Sequence, residues 1–381
     1  MSTLLKDFYT EKRIQRIAAA INAYYPEFQQ GSFIDAVLSE NWQALELKQR
    51  QFRLSQCLFD TIDLAYPQKI DIISKAAATF SSSVLKPEGN RKSVSQAEQE
   101  DLGNFEYMFF PGVIEHFGLD EPWHINMLAL ETMTQYSSSE FAVRPFIIQS
   151  SDEMMQQMLT WSSHDNYHVR RLASEGCRPR LPWGIALKAF QKDPSAILPI
   201  LENLKADSSL YVRRSVANNL NDISKDHPDL VLDICKRWQG NSQNTDWLIK
   251  HALRTLLKQG NAQAMALFGL HKPDHIEVTS FKLNPNIKIG NSAPLVFSLK
   301  SRKVLGLCRL EYAIDFLKKN GSHNHKLFKI SESYVGTDEK DVTRHIRFKT
   351  LSTRKLYPGT HHIHLIVNGH ILASQSFELY N

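Results

Sequence analysis

Apolar residues recur at helical spacing along the first two thirds of the chain and then change to strict alternation. The helical period predicts helices over 12–25, 31–37, 42–62, 69–79, 124–136, 151–161, 169–175, 196–204, 211–223, 228–238 and 245–257. In each, a turn of 3.6 residues gathers the apolar side chains on one face. From about His275 the segments IEVTSFKL, APLVFSLKS, RLEYAIDFL, KLFKISES, VTRHIRFKT, HHIHLIVNG and HILASQSFEL are rich in β-branched and aromatic residues at every second position, and they predict seven strands. Asn368-Gly369 between the last two supplies residues that tolerate φ > 0, as a two-residue hairpin turn requires. Residues 81–100, rich in Ser, Lys, Gln and Glu, lack apolar periodicity and read as an exposed insertion.

The helical part repeats itself. YHVRRLASEG at Tyr167, LYVRRSVANNL at Leu210 and WLIKHALRTLL at Trp247 align on Val169, Val212 and Ile249, at separations of 43 and 37 residues, the range of HEAT or armadillo repeats. Short Asp- or Asn-bearing turns at 164–166, 207–209 and 244–246 precede the copies and are expected to cap their helices. Two cations follow in each first turn: Arg170 and Arg171, Arg213 and Arg214, Lys250 and His251. Stacked repeats would line these pairs along a concave surface as a ladder of positive charge. The expected architecture is multidomain α + β: an N-terminal all-α HEAT-like repeat solenoid over 1–270, then a separate C-terminal immunoglobulin-like β-sandwich over 275–381.

At 381 residues the chain has room for two or three cores. Its net charge of +5 is unevenly spread. Basic and acidic residues number 12 and 19 over 1–140, 16 and 12 over 141–260, and 17 and 9 over 261–381. A basic middle and C-terminal part suits a polyanionic partner such as nucleic acid. No apolar run approaches the ~20 residues needed to span a bilayer, and the N-terminus reads as an amphipathic helix and not as a signal peptide, so a cytosolic protein is expected, nucleoid-associated when bound to DNA. Cys57, Cys177, Cys235 and Cys308 form no C-x-x-C pair and suggest reduced thiols, neither a disulfide framework nor a thiolate metal site.

The densest chemistry lies in VRRLASEGCRPRLPW, from Val169 to Trp183, where four arginines surround Glu175. Guanidinium forks suit phosphate oxygens, and a carboxylate among them stays ionised. Together with SSEFAVRPF (Ser138 to Phe146) and YVRRSVANNLNDISKDHPDLV (Tyr211 to Val231), this segment resembles the HEAT-like-repeat DNA alkylation repair glycosylases. The appended sandwich points to the AlkC branch of that family in preference to the AlkD branch. The resemblance covers essentially the whole chain, with three motifs in order.

That resemblance implies a monofunctional, cofactor-independent glycosylase that hydrolyses the N-glycosidic bond of cationic alkylated bases, chiefly N3-methyladenine and N3-methylcytosine, in double-stranded DNA without flipping the base into a pocket. The positive charge of such a base already activates it as a leaving group. The protein must then stabilise charge building on the deoxyribose and position a water. Glu140 and Glu175 resemble the family's carboxylates for this role, with Asp222 a third. Trp183 is placed to stack on a sugar or base face, whereas Trp161 sits on an apolar stripe and reads as core. Arg144, Arg170, Arg171, Arg178, Arg180, Arg213 and Arg214 are the phosphate-contact candidates, with Asn218 and Asn219 as polar contacts. The bland alternatives stay open: each glutamate orders a neighbouring arginine, Asp222 caps a turn, and Trp183 plugs the core. His361, His362 and His364, with His323 and His325, have no Cys or carboxylate in the sequence pattern to complete a tetrahedral set, so no metal is expected. The expected protein is a monomer with the sandwich clamping DNA. The rival is a non-catalytic HEAT/Ig scaffold that binds DNA or protein.

Overall fold

Residues 5–39, 41–80, 107–350 and 355–381 are described in the computed structural model of the protein, and the insertion expected at 81–100 lies outside them. The helices are α1 (Glu11–Asn22), α2 (Gln30–Leu38), α3 (Leu47–Thr61), α4 (Tyr66–Ala78), α5 (Phe109–Phe117), α6 (Trp123–Thr134), α7 (Val143–Gln149) and α8 (Ser151–Trp161). They continue as α9 (Tyr167–Gly176), α10 (Lys188–Lys192), α11 (Leu198–Leu204), α12 (Leu210–Ile223), α13 (Pro228–Trp238), α14 (Gln243–Ala252), α15 (Arg254–Lys258) and α16 (Ala262–Leu267). Among the described residues none is long and apolar enough to cross a membrane.

The repeat register holds. Val169, Val212 and Ile249 are all fully buried or nearly so, with α9 packed on α12 and α12 on α14. Their caps differ in detail. Asn166 caps α9, its side chain accepting from His168 N at 2.9 Å, and Asp207 Oδ1 accepts from Ser209 N at 2.8 Å just ahead of α12. The third turn was placed too late: α14 begins at Gln243, and Ser242 Oγ accepts from Thr245 N at 3.1 Å, so 244–246 lies within the first helical turn. The long helix expected over 245–257 breaks at Leu253 into α14 and α15.

Four helices escaped the periodicity: α5, α7, α10 and α16. In α5, FFPGVIEHF, the Pro-Gly pair reads as a breaker, yet Pro111 sits in the first turn, where a backbone N–H has no helical acceptor. Gly112 faces α3 so closely that a Cβ would stand 2.7 Å from Ser55 Oγ, which itself donates to Phe109 O at 2.7 Å.

By packing, the chain divides into Met1–Asp226 with Gln239–Ala252, and His227–Trp238 with Leu253–Asn381. The 270–275 boundary read from the sequence separates helical from strand-bearing residues, whereas packing groups α13, α15 and α16 with the strands. The strands are β1 (Ile276–Lys282), β2 (Asn286–Lys288), β3 (Ser292–Ser301), β4 (Gly306–Leu317), β5 (His323–Val335), β6 (Glu339–Arg347), β7 (Gly359–Val367) and β8 (His370–Tyr380). They form two sheets, β1-β3-β6 and β2-β8-β7-β4-β5. All pairs are antiparallel except β2 with β8. The seven expected strands are present, and the three-residue β2 is the addition.

Alternate residues fill the sandwich core: Leu295, Phe297 and Leu299 of β3, Ile363 and Leu365 of β7, Phe377 and Leu379 of β8. The β7–β8 hairpin turns at Asn368 (φ 48°) and Gly369 (φ 81°), with Val367 opposite His370. Here the glycine is doubly required, because the Gly260 backbone packs against it: a Cβ on Gly260 (φ 70°) would come within 2.8 Å of Gly369 O. Gly260→Ala therefore combines a left-handed backbone with a backbone clash, and is expected to lower the urea unfolding free energy by about 2 kcal/mol or more. Gly31→Ala in α2, where a Cβ meets nothing within 4 Å, is expected to leave stability unchanged or raise it by about 0.5–1 kcal/mol.

Candidate functional site: a buried carboxylate and guanidinium chain

Three carboxylates from three places in the first unit are joined by two arginines. Glu140 lies in the turn before α7. That turn is anchored by buried Ser139, whose Oγ donates to Leu130 O at 3.0 Å, while Ser138 Oγ donates to Glu140 Oε2 at 2.8 Å. Arg171 on α9 donates from Nη1 to the same Glu140 oxygen at 2.5 Å and to Ser138 Oγ at 2.7 Å. Its Nη2 lies 3.5 Å from Glu175 Oε1, one helical turn further along. Arg178, just past the end of α9, donates from Nη1 to Glu175 Oε1 at 2.7 Å and from Nε to Asp222 Oδ2 at 2.9 Å. Lys225 closes the chain with Nζ 3.0 Å from Asp222 Oδ1. The sequence brings these groups together because α9 and α12 are equivalent helices of adjacent repeats, tied by Ser174 Oγ donating to Ser215 Oγ at 2.7 Å.

Charge alternates along this chain, and burial makes each pairing necessary. Glu175 is 5% exposed. Burial alone would raise its pKa, but the Arg171 and Arg178 charges, with hydrogen bonds from Ser215 and Arg178, bring it below the usual carboxylate range. Burial opposes the charge of Arg171 as well, and Glu140, Tyr211 and Glu175 more than offset it; the Tyr211 ring centroid lies 4.8 Å from the guanidinium carbon. The result is three carboxylates alternating with two guanidiniums and the Lys225 ammonium along one wall of the unit.

Trp183 stands at the rim, 59% exposed, so it is no core plug. Its φ of 62° is unusual for a bulky residue, and neighbouring interactions hold that backbone. Lys48 Nζ donates to Trp183 O. Arg144, with none of its surface exposed, donates to Ile185 O at 2.6 Å, Gly176 O at 2.7 Å and Arg178 O at 3.0 Å, and burial pushes its pKa down to about 10. Trp161 is buried as expected, with Nε1 donating to Glu131 Oε2 at 2.7 Å.

The expected ladder of phosphate contacts needs correction. Arg144 is sealed in the protein and clamps the Trp183 loop. Arg170 grips Asp207 with Nε and Nη2 at 2.6 and 3.1 Å and the carbonyls of His164 and Asp165, and Arg213 donates to the carbonyls of Asp207 and Ser208 at 2.6 and 2.8 Å. Both thus brace inter-repeat turns. Asn219 is fully buried, donating to Ser174 O at 2.8 Å, and cannot reach a ligand. Arg171 and Arg178 belong to the carboxylate chain. Arg180 is paired with Asp226 yet partly exposed. Arg214 is half-buried without an ion pair among the described residues, and half-buried Asn218 faces His251 Nε2 at 3.3 Å. Lys48, Ser138 and Tyr211 were missed. Tyr211 and Ser138 lie inside quoted motifs, whereas Lys48 carried no signal.

In the sandwich, His362 and His364 do share a sheet face, hydrogen-bonded to Ser376 and Ser374 at 2.9 and 2.7 Å. A carboxylate joins them after all: Asp315 of β4 lies 2.6 Å from His325 Nδ1 and 3.0 Å from His364 Nε2. His361 points inward, Nε2 donating to Tyr357 O at 3.0 Å. No group of three ligand-type residues among those described is arranged to hold a metal.

A family model described as DNA alkylation repair enzyme matches residues 134–256, which contain Glu140, Glu175, Trp183 and Asp222. A second, described as the C-terminal Ig-like domain of the uncharacterised protein YhaZ, matches residues 277–381. The chain is 43% identical over 377 residues to the uncharacterized protein YhaZ of Bacillus subtilis, covering 98% of this chain and 99% of that one. It is also similar to the alkylpurine DNA glycosylase AlkC of Pseudomonas fluorescens, solved bound to DNA containing an abasic site analog, with 36% identity, a TM-score of 0.89 and full coverage of both chains.

Because the folded Glu175 pKa is depressed, the stability it contributes is complete above the unfolded value of about 4.3 and is lost as pH falls through the lower folded value. Glu175→Gln leaves Arg171 and Arg178 short of a counter-charge, a loss of about 3–5 kcal/mol at pH 7. In urea titrations the gap between wild type and Glu175→Gln is expected to be constant from pH 7 to 5 and to shrink below pH ~4.3.

Proposed function

The chain belongs to the DNA alkylation repair enzyme family, in its AlkC branch, and we propose that it excises N3-methyladenine and N3-methylcytosine from double-stranded DNA by hydrolysing the N-glycosidic bond, without flipping the base. The observation that carries this reading is the Glu140–Arg171–Glu175–Arg178–Asp222 chain, with the exposed Trp183 on a loop that Arg144 ties to the backbone of Gly176 and Arg178. Glu140 and Glu175 form the electrostatic pair. As the bond to a cationic base breaks, positive charge moves to the deoxyribose, and a preorganised pair of carboxylates stabilises it most at that moment. Asp222, on α12, extends the negative field and keeps Arg178 in place. A water on the glutamate pair attacks C1′, and its proton passes to a carboxylate. The indole of Trp183 stacks on the lesion or its sugar, presented by a loop that Arg144 and Lys48 prevent from relaxing.

DNA is held by the remaining accessible cations of the catalytic 1–270 part, Arg180 and Arg214, and by the basic C-terminal part over 275–381, which clamps the duplex. The protein works as a monomer in base excision repair, cytosolic and nucleoid-associated when bound. In the rival reading, a non-catalytic scaffold, these carboxylates serve only to pair the arginines around them.

Incubation with methylated duplex DNA, followed by quantification of released bases, tests the reading. The wild type is expected to release N3-methyladenine, whereas Glu140→Gln and Glu175→Gln lose about 100-fold or more in single-turnover rate with DNA affinity kept or raised. Unchanged rates in both variants would remove their assigned roles, and no release by the wild type would favour the scaffold. Two arginines separate structure from binding. Arg144→Met is expected to lower unfolding stability by about 3 kcal/mol or more through stranded carbonyls. Arg214→Ala leaves stability within about 0.5 kcal/mol but weakens DNA binding and reduces the salt slope by about one.

A further inference from the structure

Between α3 and α5 lies a cavity of about 480 Å³ that the carboxylate chain does not use. Its volume is that of a small-molecule site, roughly 300–1,000 Å³. Its walls include Lys48, Phe52 and Gln56 of α3, Glu115 and His116 of α5, and Phe141. The faces are aromatic. Phe52, 42% exposed, meets the His116 ring edge-on with centroids 4.7 Å apart, and Lys48 Nζ lies 4.4 Å from the centre of the Phe141 ring. The edges are polar: among the described residues the half-buried Glu115 carboxylate and the exposed Gln56 amide line the cavity without a protein hydrogen-bond or ion-pair partner, which leaves both open to a ligand. Half-buried Glu115 also has its pKa raised by burial, against the lowering effects of Lys48 and Arg144, as expected of a carboxylate held without direct partners.

Flat apolar faces with an amide and a carboxylate at the edge fit a planar heterocycle that carries its own N–H donors and ring-nitrogen acceptors, which is the chemistry of a nucleobase. Two links tie the cavity to the glycosylase wall. Phe141 directly follows Glu140, and Lys48 donates to the carbonyl of Trp183. We propose that this cavity is a nucleobase site that takes up the alkylated base once its glycosidic bond is cut, an inference that rests on the glycosylase reading above. Excision leaves the base without a sugar tether, free to move from the Trp183 rim into a neighbouring aromatic slot.

Calorimetric titration of the full-length protein with free 3-methyladenine tests this directly, alongside inhibition of excision by the same compound, each variant referred to its own uninhibited rate. Saturable one-to-one binding is expected, weakened by about tenfold or more in Phe52→Ala and Glu115→Gln, with inhibition relieved in parallel. Phe52 is exposed enough that its variant keeps the fold if Glu115→Gln does not, and circular dichroism checks both. Binding of equal strength in both folded variants would place the ligand elsewhere and overturn the proposal. So would tighter binding of 2′-deoxyadenosine, which carries the sugar. Excision by a wild type that neither binds nor is inhibited by the free base would also overturn it while leaving the glycosylase reading intact. A wild type that releases no base would instead remove that reading and the assigned occupant together.

Discussion

The sharing of Arg171 and Arg178 among Glu140, Glu175 and Asp222 is the constraint on which the rest of the site depends. Each of these carboxylates would be expensive to bury alone, and each guanidinium likewise. In alternation, with Lys225 closing the chain on Asp222, they neutralise one another pairwise, so the wall holds three carboxylates in fixed positions without an unpaired charge. The geometry demands that α9 and α12 sit in exact repeat register, because Arg178 spans from Glu175 to Asp222, on the next repeat. Buried Val169 and Val212 and the Ser174–Ser215 hydrogen bond fix that register. The repeat architecture thus sets the spacing of the charges.

A second group of arginines does mechanical work. Arg170 and Arg213 hold the turns that precede or follow their own helices, and Arg144 gathers three carbonyls around the loop that carries Trp183. An arginine donates through up to five N–H groups and keeps its charge, so it can satisfy several backbone carbonyls where no helix or sheet does so. An exposed tryptophan with φ of 62° needs such a base, since strain in a loop persists only when its surroundings over-determine it.

The division between the two kinds of arginine was invisible in the sequence, and the reason is angular. Neighbouring helical residues point about 100° apart, so the two members of an Arg-Arg pair cannot both line one surface. Arg170 turns to Asp207 while Arg171 turns to Glu140. Asn218 and Asn219 divide in the same way, one half-exposed and one sealed. The 43-residue repeat, the alternating strands and the Asn368-Gly369 hairpin were legible because they rest on local periodicity and turn chemistry. Helix α5 was not, because Pro111 and Gly112 break helices in general and are tolerated here by position. The contribution of Lys48 comes from 135 residues away in the chain, a long-range contact that no local pattern encodes. Asp315 joined His325 and His364 only through cross-strand register.

If the carboxylates in this wall are placed to stabilise a sugar cation, the protein must prefer a cationic sugar to a neutral one of the same shape. The most direct measurement compares its affinity for duplex DNA carrying a positively charged pyrrolidine in place of the deoxyribose with its affinity for the same duplex carrying an uncharged tetrahydrofuran, at equal salt. The expected result is a preference of about tenfold or more for the cation in the wild type, falling toward parity in Glu140→Gln. Equal affinity of the wild type for the two duplexes would contradict the electrostatic role assigned to the chain of carboxylates.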